Sequence, residues 1–294
     1  MMTHRNLRIL IALFLVGVTG TSEVSAAKLK PKTLQAWETY QQLTEKRISG
    51  ELAGGGSFLV LDLKKPDERA RIRKVVKDGG VNIEKMRTLD AGKEIDVEDG
   101  MIHHWIGQIF IPKMTLRTLR PWLQNYDRHA DYFADVEKSK LLSRDGENFK
   151  IYLRLVRKKV ITVRYNTEHS VVYRDHSPTR MSSRSIATKI AEIANAGTTT
   201  EKERTSDDDS GFMWRLNSYW RYFDNGHGVF VQCEAISLTR DIPPGLNWLV
   251  GSFVESIPRE SLEFTLQSTR AAVLRGGLHT SQSNAAVGTP SEGR

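Results

Sequence analysis

The sequence is poor in cysteine, with Cys233 the single one among 294 residues. No intrachain disulfide can form, so the folded state must rest on its core. A lone thiol inside an apolar strand pattern reads as a buried filler before it reads as a nucleophile. Other absences narrow the chemistry. There is no G-x-S-x-G elbow, no phosphate-cradling loop and no dinucleotide fingerprint. Gly54-Gly55-Gly56 lacks the strand-loop-helix context of such loops and reads as a connector. Beyond Ala26 no apolar run reaches the roughly 20 residues that a membrane-spanning helix needs.

The balance of 43 Lys and Arg against 35 Asp and Glu leaves a net charge of +8. The basic residues are interleaved with acids, as in Lys64-Lys65-Pro66-Asp67-Glu68-Arg69, and form no stripe or reading motif. A nucleic-acid partner is therefore not expected. A peripheral attraction to anionic membrane is compatible with the charge, and a merely solvated surface is the simpler reading.

What is present begins at the N-terminus. Arg5 and Arg8 precede an apolar run from Ile9 to Val18, and the segment ends on Val24-Ser25-Ala26. That is the pattern of a signal peptide over residues 1–26, cleaved after Ala26, and it predicts a periplasmic or secreted protein. Residues 27–100 read as an N-terminal extension of helix and strands. It holds a helix over 33–48 with Leu34, Trp37, Leu43 and Ile48 on one side, ended by Gly50 and Gly54. A short strand at 58–63, a charged helix or loop at 67–77 and a strand at 81–89 follow.

From residue 101 the pattern is more regular. A strand over 102–111 closes at Pro112, and Thr115 is a candidate N-cap for a helix reaching Phe133, interrupted at Pro121. Strand-like runs follow at 136–143, 148–156, 160–174, 182–193, 211–223 and 229–239. Arg144-Asp145-Gly146 and Asp224-Asn225-Gly226 carry hairpin signals, and 195–210 reads as an exposed loop. A last helix over 246–274 carries a wide apolar stripe that needs a partner, and the antiparallel sheet is the large one available. Residues 276–294 read as a disordered tail.

Alternation predicts a one-sided sheet, apolar towards the helix and polar outward. Trp214, Leu216, Ser218, Trp220 and Tyr222 would face inward, against Arg215, Asn217, Tyr219 and Arg221. In the last strand Val231, Cys233, Ala235 and Ser237 would oppose Gln232 and Glu234. Arg184 and Glu234 stand out as charges inside strand patterns, Arg184 as an inward headgroup anchor or an outer-face ion pair.

The order of strand, kinked helix, antiparallel strands and one long C-terminal helix resembles that of the START-like, or SRPBCC, superfamily, which includes polyketide cyclases. Leu123-Gln124-Asn125-Tyr126-Asp127 with the stretch from Tyr132 to Ser139, and the run 228–243 before the last helix, resemble its helix-to-strand segment and its closing strand. The resemblance spans about residues 101–275 and extends to secreted bacterial members. It implies an α+β helix-grip fold, an antiparallel β-sheet wrapped around a long C-terminal helix, here with the N-terminal extension. It also implies an apolar small molecule or lipid held between sheet and helix. Tyr165, Trp214, Leu216, Trp220 and Cys233 would form the walls, with Phe253 and Ile257 from the helix and Arg184 as the polar anchor. Each is also a plausible plain core residue.

Candidate catalytic groups are sparse. On a strand, His103 and His104 point to opposite faces and cannot share a metal. Asp127, His129 and Asp131 read as a helix-end cluster, while Glu168-His169 and Asp175-His176 read as surface positions. No catalytic residue, metal or cofactor is expected. The leading reading is a binding protein, followed by a ligand-free interaction module. An enzyme of the cyclase or dehydratase type, using Tyr165, His169 or Arg184, comes third.

Overall fold

The computed structural model describes residues 29–54, 56–158, 162–205, 208–241 and 247–285, and in the last helix the side chains of 256–275. The first helix, α1 (Pro31–Ala53), starts on a proline suited to the first helical turn and buries Thr33, Trp37, Tyr40, Thr44 and Ile48 along one stripe. It runs through Gly50 and past the expected end, because that glycine lies on the exposed side. The segment at 58–63 is a 3-10 turn, Val60–Leu63, rather than a strand. The charged stretch after it is a helix, α2 (Pro66–Lys77), with Asp67 and Glu68 in its first turn and Lys74 and Lys77 in its last, each matching the helix dipole.

Strand β1 (Asn82–Lys85) and a two-stranded ribbon, β2 (Leu89–Asp90) with β3 (Lys93–Glu94), lead into β4 (Gly100–Pro112). Thr115 caps α3 (Leu116–Leu123), accepting from the Thr118 N–H at 3.3 Å, and Pro121 lies inside that helix. A 3-10 turn (Tyr126–Arg128) and α4 (His129–Tyr132) replace the expected continuation to Phe133. The strands β5 (Val136–Asp145), β6 (Asn148–Lys158), β7 (Thr162–Ser177), β8 (Arg180–Ala194), β9 (Lys202–Glu203), β10 (Arg215–Asp224) and β11 (Gly228–Arg240) follow, and α5 (Asn247–Ala285) ends the described chain. That last helix carries past the predicted end into the segment read as a tail. Residues 286–294, like the signal-like segment, lie outside the described residues.

The main sheet is antiparallel, in the order β1-β4-β11-β10-β8-β7-β6-β5, with β9 paired to β8. At its β5 edge, register shifts and charged residues such as Glu137, Lys138 and Lys140 discourage further strand pairing. Helix α5 lies against β4 and β11 on one face, called concave here. Its closest approach is at Gly107, where a Cβ would sit 2.4 Å from the end of Leu266 and 2.7 Å from the end of Ile83. A cluster of Ile109, Ile111, Phe149, Tyr173, Val231, Leu262 and Leu266, with α3 residues, fills one end of that face.

The opposite, convex face is covered rather than solvated over β4, β10 and β11, which corrects the one-sided reading there. Helix α1 and the segment after it cover the convex face in two clusters, one around Trp37, Tyr40, Trp214, Tyr219 and Leu238, the other around Phe58, Leu61, Phe110 and Phe230. Between these clusters lies a polar layer. Glu234, 1% exposed, pairs with Arg47 of α1 and accepts from His104 Nε2 at 2.8 Å. Tyr40 of α1 takes the Thr88 N–H at 2.9 Å, so its own hydroxyl donates to His104 Nδ1 at 2.8 Å. Arg47 continues to Glu51 at 2.7 Å, and Glu51 accepts from the buried Arg221 at 2.5 Å. Burial by itself would push the Glu234 carboxyl up, but the His104 hydrogen bond and the charges of Arg47 and Arg221 hold it below its usual range.

Removing one member of this layer strands a buried charge. Arg47→Ala is expected to cost about 3 kcal/mol in urea unfolding, against under 1 kcal/mol for the exposed Arg87→Ala. Gly228→Ala is expected to cost about 1–3 kcal/mol, because its Cβ would fall 2.4 Å from the Ile111 carbonyl oxygen, part of a backbone that cannot give way. Gly107→Ala meets movable leucine and isoleucine ends and is expected to cost less in the same measurement.

Candidate functional site

The concave face has two unlike ends. At the end capped by α3 the side chains interlock and are buried, as described above. At the other end the lining changes character. Leu153 on β6, Ala187 and Ile190 on β8, Leu216, Ser218 and Trp220 on β10, and Ala235 and Ser237 on β11 are only half-buried. Register places them side by side: Ser218 opposes Ser185 and Ala235, Trp220 opposes Ser183 and Cys233, and Leu216 opposes Ser237. Short side chains here, against the branched and aromatic ones at the capped end, leave this part of the face less filled.

Polar groups stand among these residues. Thr167 and His169 of β7 are buried next to Tyr165 on the same face. Thr167 gives its hydroxyl proton to the Leu153 carbonyl at 3.1 Å, so its oxygen accepts from His169 Nε2–H at 3.0 Å. That fixes the tautomer, leaving Nδ1 to accept from the Ser185 hydroxyl at 3.3 Å. Burial lowers His169 to about 4, so the imidazole is neutral in this site at ordinary pH. His103, on the concave face of β4, is likewise lowered to about 4 by burial, with the Lys85 charge adding to it, and contacts the Thr239 hydroxyl at 3.1 Å. Tyr165 is 7% exposed, and its hydroxyl has no hydrogen-bond partner among the described residues. Burial, then the charges of Glu192 and Asp209, raises it far above its ordinary value, so it stays protonated and able to donate. A buried donor without an acceptor is costly in a finished core and natural in a site that receives one.

The sequence-predicted residues divide between the faces. Tyr165, Leu216, Trp220 and Cys233 stand on the concave face, Cys233 buried in the core cluster with its thiol pushed up by burial and by Glu234. Ile257 lies on α5 and is half-buried; the Phe253 side chain lies outside the described residues. Trp214 and Arg184 do not belong to that face. Trp214 precedes β10, where the alternation breaks, and packs with Trp37 and Leu238 in the α1 cluster while its indole donates to Asp209 at 3.1 Å. Arg184 sits on the convex face in an ion pair with Glu45 of α1, at 2.8 Å, the plainer of its two readings.

The surface reading of His169 is also corrected, because β7 continues through it. His103 and His104 do diverge to opposite faces. His129 is partly buried at the α3–α4 junction, donating from Nε2 to the Leu123 carbonyl at 3.1 Å. The Thr167–His169–Ser185 group was missed as a unit. Its signal in the sequence is the run of small and hydroxyl residues Ser182, Ser183, Ser185 and Ala187 in β8, too small to fill a core. Among the described residues no three metal-ligating side chains gather, and no helix is long and apolar enough to cross a membrane.

No family model matches the chain, and no curated protein matches it. Solved structures do. A STAR-related lipid transfer protein from Xanthomonas axonopodis is 15% identical over 65% of this chain and 98% of that one, with a TM-score of 0.42. Human STARD10 is 10% identical over 79% and 86%, with a TM-score of 0.43. The Zhui aromatase/cyclase from Streptomyces sp. R1128 is 12% identical over 60% and 95%, with a TM-score of 0.36. The antiparallel strand order and the long C-terminal helix of this chain give it a helix-grip architecture. Likeness at such identities and TM-scores says nothing of ligand or reaction.

The neutral imidazoles make stability acid-sensitive. The unfolded chain takes up protons at His103 and His169 as pH falls through 6.5, whereas the folded sites resist until about 4. Stability is therefore expected to be full above pH 6.5 and to fall by about 3 kcal/mol per imidazole on the way down to pH 4. Urea unfolding at pH 7.5, 5.5 and 4.5 measures the slope, and His169→Gln should flatten it.

Proposed function

We propose that the protein is an exported binding protein that holds a lipid-like or other apolar small molecule against the less filled end of the concave face, between the sheet and α5. The observation that carries the reading is the half-buried belt of Leu153, Ile190, Leu216 and Trp220 beside buried Thr167 and His169, at the end of the face opposite the interlocked core. Apolar walls with a few placed polar groups are the chemistry of a small-molecule site. Tyr165 supplies a protonated donor with no acceptor among the described residues, so the ligand carries an acceptor, such as a carbonyl or ester oxygen, on an apolar body. Residues 1–26 carry the basic, apolar and small-residue order of a signal peptide, which supports the export half of the reading. The net charge of +8 is compatible with a peripheral contact with anionic membrane while the ligand is exchanged.

Cyclase- or dehydratase-type chemistry in the same site is the second reading, and one feature favours it. His169 is neutral, oriented by Thr167 and holds its Nδ1 lone pair towards the Ser185 hydroxyl, the disposition of a general base. Binding without turnover separates the two readings.

Native mass spectrometry of the purified protein before and after organic extraction is the deciding experiment. An extra mass that disappears on extraction is expected. Leu216→Glu should lower its occupancy at least tenfold, and Tyr165→Phe should weaken rebinding about fivefold to tenfold, the loss of one hydrogen bond. A clean apo mass, with no uptake of fluorescent fatty-acid or sterol probes, would leave a ligand-free interaction module instead.

A further inference from the structure

The convex face holds a cavity of about 370 Å³ between the C-terminal half of α1 and strands β7, β8 and β10. On its floor Arg174, Ser182 and Arg221 stand in one cross-strand row, since Ser182 pairs with Arg174 on one side and with Arg221 on the other. Arg184 lies one step along the same face, and Ile48, Leu52 and Val172 supply apolar walls.

The charges are unequal. Three guanidiniums line the cavity against one carboxylate, Glu45. Glu45 is already engaged, taking Arg184 at 2.8 Å and the Tyr219 hydroxyl at 2.9 Å. Arg221 is 2% exposed and held by Glu51 and by the Phe58 carbonyl at 3.0 Å. Arg174 is exposed and has no hydrogen bond or ion pair among the described residues. The resulting positive field is felt at His176, which touches the Ser182 hydroxyl at 2.8 Å. Its burial, then the charges of Arg174, Arg221 and Arg180, lower it, with Asp175 opposing.

A free guanidinium fork beside a serine hydroxyl, in a field of fixed cations, matches a phosphate better than a single carboxylate. The cavity is also larger than a phosphate group, and its remaining walls are aliphatic. We propose that this cavity binds an organic phosphomonoester, the phosphate on Arg174 and Ser182 and the organic part against Ile48, Leu52 and Val172. Arg221 and Arg184, fixed by their own carboxylates, contribute field rather than direct contact.

The test uses the full mature chain and two probes, glycerol 3-phosphate in solution and vesicles containing phosphatidic acid, followed by calorimetry and by vesicle flotation. Arg174→Gln is expected to weaken binding at least tenfold with no change in the melting temperature of the unliganded protein. Arg174→Lys should recover part of the loss. Arg117→Gln, at an exposed arginine of α3, should bind as the unaltered protein does. Binding of the soluble probe with this dependence supports the site and names a free phosphomonoester as its ligand. The same dependence confined to the vesicles supports the phosphate chemistry and names a lipid headgroup. No binding of either probe, or equal losses in Arg174→Gln and Arg117→Gln, overturns the proposal.

Discussion

The Glu234 carboxylate, nearly sealed between sheet and helix, is the constraint on which the arrangement depends. A buried carboxylate persists only when cations and donors meet it. Arg47 and His104 do so, and each is tied onward, Arg47 through Glu51 to Arg221 and His104 through Tyr40 to the Thr88 backbone. Three members of this network, Tyr40, Arg47 and Glu51, come from α1, each a full turn or more from the next along it. The helix therefore cannot slide or rotate on the convex face without stranding a charge. Ion pairs of this kind add little net stability over apolar packing, but they choose one register among several that apolar contacts would tolerate.

Fixing α1 on the convex face has a consequence on the other side. With the outer residues of β10 and β11 covered, the strands are held from behind, and the concave face need not be packed throughout to keep the sheet in place. It is packed at one end, where α3 and the C-terminal part of α5 press on β4 and the strands opposite. At the other end it presents serines, alanines, two neutral imidazoles and an unanswered tyrosine hydroxyl. In a sheet buried on both faces at one end and partly open at the other, the rigid end holds the geometry of the open end.

The legibility of these features differs for physical reasons. Strand positions from residue 100 onward, both hairpins and the N-cap at Thr115 follow from local rules of alternation, turn chemistry and capping, and the chain obeys them. Trp214 escaped because alternation fails where the chain enters β10, and parity carried one residue too far assigns the wrong face. Arg184 was ambiguous for the same reason: the bulge in β8 between Ala187 and Lys189 shifts the parity of everything beyond it. Glu234, Arg221 and Gln232 looked like a solvated face because polarity in a strand normally means water. Here it means partners on α1 and the segment after it: Arg47 for Glu234, Glu51 for Arg221 and the Val60 N–H for Gln232.

By itself, then, the sequence determined the succession of long strands from residue 100, the antiparallel sheet with its closing helix, and the inward set of β6, β10 and β11, because each of these depends on neighbours a few residues apart. The tertiary structure alone decided that the polar face of β10 and β11 is buried, that Arg174 has no partner among the described residues beside a cavity, and that Thr167, His169 and Ser185 meet beside Tyr165. Those outcomes join residues far apart in the chain, such as Arg47 with Glu234 and Glu51 with Arg221, and no local periodicity carries the pairing of charges across such distances.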